Sequence, residues 1–267
     1  MTSRGTFYGI GVGPGAQGLL TLSGAQALQS CRLILCPRAK SANESVAKNC
    51  IANLNLPEEC FELIEYGMEE DRSQAAEIYI KLAQRILLAI EQGDNVAYLT
   101  IGDALTYSTY GYTVMALQEL APQVKIVTIP GITSFAALAA RHNWPLGQGK
   151  ERMLILPCPD SADTLREDIE RNDIVILMKI GKRLPMVLEL VESLGIAEHC
   201  VLGSRLGLPG EYVETLSNLE AEENSENKRG YLSTMLIRKT APGRQWLEQE
   251  RLGQTTKESQ DKIEVKA

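Results

Sequence analysis

Gly9 to Gly18 reads GIGVGPGAQG, and from Gly13 it spells G-x-G-x-x-G. In dinucleotide-binding folds that pattern cradles a pyrophosphate at a helix N-terminus, and the chemistry would be hydride transfer. The loop must follow a strand, which TFYGIGV supplies, and a carboxylate roughly 20 positions on must hold the ribose hydroxyls. The second strand ends LILCPRAK, and the first carboxylate of the chain is Glu44, well past it. Arg38 could accommodate a 2′-phosphate in its place. Pro14 is the stronger objection, because it sits where backbone N–H groups would face the pyrophosphate and has none to give. The residues argue against a nicotinamide dehydrogenase.

Two further turns share the design. YLTIGDALTYST is a strand, then Gly102-Asp103, then a hydroxyl-rich helix start; VTIPGITSFAALAA is a strand, then Pro130-Gly131, then Thr133 and Ser134 where a helix opens. Each puts small residues, free backbone groups and short polar side chains at the carboxyl end of a strand, where open α/β sheets bind ligands. Each also has a purely structural use. Thr133 and Ser134 make good N-caps, and Asp103 after glycine is a turn-former.

The elements that position these turns alternate between apolar runs of strand length and stretches of helical period, which predicts an α/β chain. In AAEIYIKLAQRILLAIEQG, Ile78, Leu82, Ile86 and Ile90 share one helical face before Gly93. The pattern pauses at Ala121 to Gln123 and a second strand–helix series follows, so the reading is two α/β domains, 1–120 and 121–240, with a charged, disordered tail at 241–267. EAEENSENKRG reads as a solvated loop.

The formal net charge of -7 disfavours a nucleic-acid coat, while a local cluster of Lys and Arg can still serve an anionic ligand. No apolar run has the length of a signal peptide or membrane span, which predicts a cytoplasmic protein without membrane association. The six cysteines are scattered with no C-x-x-C, predicting free thiols and no metal site.

VGPGAQGLLTLSGAQAL, YLTIGDALTYSTYGY and IPGITSFAALAA resemble, in order and spacing, the motifs of the tetrapyrrole (corrin and porphyrin) methylases, over about Gly5 to Lys239. GTFYGIGVGPG, TYSTYGY, ILMKIGK and YLSTMLIR are most similar to the branch that methylates C20 of precorrin-2 or cobalt-precorrin-2 in cobalamin biosynthesis. The resemblance implies two αβα domains with an active-site trough between them, a homodimer, and S-adenosyl-L-methionine as methyl donor. It implies that Pro14, Ile101, Gly102, Asp103, Thr106, Thr133 and Ser134 line the donor, with Met178, Ile180 and Leu206 packing its adenosine and Leu232 or Ser233 nearby. Ala16 stands where the family commonly has an acid, and GDAL replaces GDPL.

Transfer from a sulfonium to an electron-rich carbon needs alignment and dryness more than an acid–base pair, which suits a chain whose His142 and His199 have no partner in the motifs. The resemblance also implies a tetrapyrrole substrate with multiple carboxylates. Tyr107 and Tyr110, just past the second turn, are candidates for contact with the macrocycle, or else pack the helix start. Arg38 and Lys179 are candidate partners of its carboxylates, and each is also explained as an ordinary solvated charge.

Overall fold

The computed structural model describes residues 4–40, 43–66, 72–218, 230–241 and 243. The described residues fall into two compact units, one within Met1–Ala137 and Arg205–Glu211, the other within Leu138–Ser204 and Tyr212–Ala267.

The first unit holds a parallel sheet in the order β3-β2-β4-β1-β5, built from β1 (Phe7–Gly11), β2 (Leu33–Ala39), β3 (Phe61–Tyr66), β4 (Val96–Thr100) and β5 (Ile126–Ile129). Every residue of β4 is buried, because side chains alternate between two covered faces. Val96 and Tyr98 face one core with Leu82, Ile86 and Ile90 of α3 (Arg72–Glu91) and Tyr110 and Leu117 of α4 (Tyr110–Leu120). Ala97 and Leu99 face the other, with Leu28 of α1 (Leu22–Gln29) and Ala47 of α2 (Val46–Asn49). The period-four apolar stripe of α3 thus meets the sheet as its spacing dictates. α1 begins where Thr21 caps it, its hydroxyl accepting from the Gly24 amide at 3.1 Å.

β5 pairs with β1 from Phe7↔Ile126 to Ile10↔Ile129. The second series, read from residue 121, therefore contributes its opening strand to the first sheet. After α5 (Ser134–His142), the second unit forms a mixed sheet in the order β6-β7-β10-β8-β9: β6 (Met153–Pro157), β7 (Ile174–Met178), β8 (Cys200–Ser204), β9 (Tyr212–Thr215) and β10 (Ser233–Arg238). β6 and β7 run parallel, whereas β10 is antiparallel to β7 and β8, and β9 to β8. Its core joins Val175, Leu177, Leu202 and Met235 to Leu165 and Ile169 of α6 (Ala162–Arg171) and to Val187 and Leu190 of α7 (Leu184–Ser193). Ser161 caps α6, Asp163 lies in its first turn and Arg171 in its last, in keeping with the helix dipole.

Arg238, 2% exposed, ends β10 in an ion pair with Glu151 and donates to the Pro145 carbonyl at 3.0 Å. The loop read at 220–230 and the tail after Arg238, with Trp246 and Leu247, lie almost entirely outside the described residues.

Candidate functional site

The parallel sheet of the first unit delivers all three turns to its carboxyl edge, because β1, β4 and β5 are neighbours running the same way. The turns bond to one another. The Gly13 amide donates to the Gly102 carbonyl at 3.1 Å and the Gly102 amide to the Gly13 carbonyl at 2.7 Å. The Gly131 amide donates to Asp103 Oδ2 at 3.1 Å.

Glycine is required at the junction by distance alone. A Cβ on Gly131 would lie 2.2 Å from the Gly102 carbonyl oxygen and one on Gly11 2.6 Å from the Gly131 amide nitrogen. Gly102 differs: its φ is +77°, a conformation that favours glycine, and an added Cβ would find only the Ile132 carbonyl oxygen, at 3.9 Å. The bends are thus packed on one another, and Gly102, although buried, keeps room for a methyl group on one side. Thr100, just before the second bend, is 8% exposed, and its hydroxyl has no hydrogen-bond partner among the described residues.

Pro14 is buried in the first bend. Leu206, 4% exposed, belongs to the same unit, and its carbonyl oxygen would stand 2.1 Å from a Cβ on Gly15. Gly207 is equally tight, a Cβ there falling 2.2 Å from the Ala16 amide nitrogen. The sequence signal for this backbone-on-backbone contact is Gly207 in LGLPG, facing Gly15 and Ala16.

Asp103 is half-buried and hydrogen-bonded through both oxygens. Its Oδ1 accepts from the Leu105 amide at 3.0 Å, the Thr106 amide at 3.0 Å and the Thr106 hydroxyl at 2.8 Å. Burial alone would raise its pKa, but bonds from Gly131, Leu105 and Thr106 outweigh that and hold it below the ordinary aspartate value. Thr133 caps α5, accepting from the Ala136 amide at 3.3 Å. Ile101 and Ser134 are half-buried at their bends.

The substrate candidates divide. Tyr107 is 43% exposed and holds a φ of +51°, rare for a side chain of its size. Tyr110 follows the second of its two readings, packing the helix start: it is 0% exposed, its hydroxyl 2.8 Å from that of Thr128 and its ring laid across Gly9, whose added Cβ would fall 1.9 Å from Cζ. Tyr110 is core. Arg38 forms an ion pair with Glu65 and donates to the Asn43 carbonyl at 3.0 Å, so its charge is already matched.

In the second unit, Met178 is half-buried and its carbonyl accepts from the Cys158 amide at 2.8 Å. Lys179 has a φ of +53° and an exposed side chain without an ion-pair partner among the described residues; partial burial lowers its pKa. Ile180 is wholly packed in the core. Gly181 donates to the Gly230 carbonyl at 2.9 Å, and that carbonyl also accepts from the Ser233 hydroxyl at 2.6 Å, which brings 178–181 beside 230–233. Leu232 there has a φ of +52°.

The cysteines are free, and burial pushes the thiols of Cys31, Cys36 and Cys200 up to about 12 and those of Cys50 and Cys158 to about 11. These five buried thiols stay protonated at neutral pH and offer no thiolate. His142 lies 3.3 Å from the Thr215 hydroxyl and stacks edge-on with Trp144. Among the described residues no His, Cys, Asp or Glu cluster suits a metal ion, and no helix is long and apolar enough to cross a membrane.

The chain is similar to known proteins along most of its length. Residues 6–220 match the family model of the Tetrapyrrole (Corrin/Porphyrin) Methylases. The cobalt-precorrin-2 C(20)-methyltransferase of Salmonella typhimurium is 26% identical over 88% of this chain and 97% of its own. The probable cobalt-precorrin-2 C(20)-methyltransferase of Methanocaldococcus jannaschii is 33% identical over 64% of this chain and 71% of its own. Among solved structures, the uroporphyrin-III C-methyltransferase of Thermus thermophilus complexed with S-adenosylhomocysteine superposes with a TM-score of 0.55 at 19% identity, covering 88% of this chain and 98% of that one.

Proposed function

The chain belongs to the tetrapyrrole (corrin/porphyrin) methylases, and from that premise we propose that it methylates C20 of precorrin-2, metal-free or cobalt-bearing, in cobalamin biosynthesis, with S-adenosyl-L-methionine as donor. The observation that carries the donor site is the open side of Gly102. A main-chain corner at φ +77°, closed against Gly13 and Gly131 yet free where a Cβ would stand, suits a ligand lying along the backbone. The unpartnered, buried Thr100 hydroxyl beside it supports the same reading.

When bound, the donor supplies a sulfonium methyl already activated toward an electron-rich carbon. The chain's own task is alignment and exclusion of water. Pro14, the main chain of Ile101 to Asp103, Thr106, Thr133 and Ser134 hold the donor, and Leu206 seals the first bend from behind. Tyr107 contacts the macrocycle. Lys179 is the cation we assign to a substrate carboxylate, whereas Arg38, matched by Glu65, is not. The exposed Tyr112 and Met115, three apart on α4, support a homodimer.

Two measurements test the reading. S-adenosylhomocysteine at a hundredfold its dissociation constant should stabilise the protein by about 2.7 kcal/mol, and NAD(H) should not. Incubation with labelled donor and each form of precorrin-2 should place the label on C20, with light scattering giving twice the chain mass. A shift with NAD(H) alone, or label on another carbon, ends it.

A further inference from the structure

Asp103 stands at the junction of the three bends, and both of its oxygens bond to the protein. Oδ1 takes three donors, from the Leu105 amide and from the amide and hydroxyl of Thr106, and Oδ2 takes the Gly131 amide at 3.1 Å. Oδ1 is thus crowded with donors from its own turn, and the bond to the third bend rests on Oδ2 alone. Gly131, so held, lies against Gly102 with no room for a methyl between them, and Gly102 is bonded in both directions to Gly13. One side chain therefore links the third bend to the second, and through Gly102 to the first.

We propose that Asp103 is a positioning residue: its carboxylate sets the spacing of the bends, and so the opening over Gly102, without touching the methyl donor. This deepens the function proposed above and rests on it. The chemistry explains why aspartate is used. Every group facing it from the turn and from Gly131 is a donor, so an acceptor-only side chain fits and an amide does not. In Asp103→Asn one orientation sets N–H against the Gly131 N–H, and the other sets it against the Leu105 and Thr106 donors. Size and shape are kept while one link is lost.

The test uses S-adenosylhomocysteine as probe and amide hydrogen exchange of the donor-free protein. In Asp103→Asn we expect the Gly131 amide to lose protection and the probe's dissociation constant to rise about tenfold or more, the scale of a lost hydrogen bond to a charged group. The KM of the tetrapyrrole should stay within about twofold, since the defect lies in donor placement. Thr106→Val removes one donor from Oδ1 and spares the bond to Gly131, so it should lower Gly131 protection less than Asp103→Asn does; if the Asn variant does not fold, Asp103→Glu, which keeps the charge and displaces the carboxylate, carries the test with the same two readouts. Probe binding lost with Gly131 protection intact would mean that the carboxylate touches the donor directly, and unchanged binding would mean that it sets nothing; either overturns the proposal. If the wild type fails to bind the probe, the methylase reading falls instead, and the exchange data still report whether Asp103 braces Gly131.

Discussion

At the scale of single residues, neighbouring side chains of one motif have opposite fates. Tyr107 and Tyr110 are three positions apart, yet one is 43% exposed and the other 0%. The left-handed φ of Tyr107 turns the chain before α4 begins, and Tyr110 then falls on the buried face, 5.8 Å from the ring centres of both Phe7 and Tyr98. Spacing along the motif could not distinguish them, because the turn between them breaks the helical period. Tyr110→Phe should therefore cost about 1 kcal/mol of stability, the net worth of the bond to Thr128, measured by denaturant unfolding. Thr128 is exposed and can rebond to water, which keeps the cost modest. The KM of the tetrapyrrole should not move; a large rise would return Tyr110 to the substrate.

At the scale of elements, what was legible followed burial. β1 and β4 lie inside their sheet, are buried almost throughout, and overlap TFYGIGV and YLTIGDALTYST, whose apolar runs read as strands. FELIEY and YVET, not marked as strands by their sequence, form β3 and β9 at sheet edges, where charge mixes with apolar residues and no residue is fully buried. The bends were legible as glycine, proline and hydroxyl clusters, but their mutual bonding was not, since strand order brings them together and spacing does not encode it. The glycines at the junction separate two kinds of constraint. Gly131→Ala drives a Cβ to 2.2 Å from a backbone oxygen, so the bends must part, and both stability and S-adenosylhomocysteine affinity should fall. Gly102→Ala meets nothing closer than 3.9 Å and should cost only the left-handed strain of about 1–2 kcal/mol, yet lose affinity because the methyl fills the open side. Calorimetric binding beside unfolding curves checks the contrast; equal affinity in Gly102→Ala and wild type would remove the ligand from that corner.

At the scale of the whole molecule, the junction ties local chemistry to the pH range in which the fold survives. Asp103 is pulled below the ordinary aspartate pKa by bonds that outweigh the effect of its burial. In acid the unfolded chain therefore takes up this proton first, so stability rises with pH across the window between the folded and unfolded values. Above the ordinary value of about 3.9 the contribution is fully present, and it is lost as pH falls through the folded value. Asp103→Asn cannot titrate, so the stability gap between wild type and variant should be constant near neutrality and close progressively in acid. Other carboxylates drop out of that difference because both proteins carry them, including Glu77, whose pKa is lowered by its bond to Lys81 at the surface. Salt separates the two effects further: an exposed ion pair is screened, whereas bonds from amides and a hydroxyl to Asp103 are not. Unfolding curves for both proteins, taken from neutrality into acid at low and high salt, should show a gap that closes with pH and ignores salt. A gap of constant width through the acid range would mean that the Asp103 carboxylate does not gain its bonds on folding.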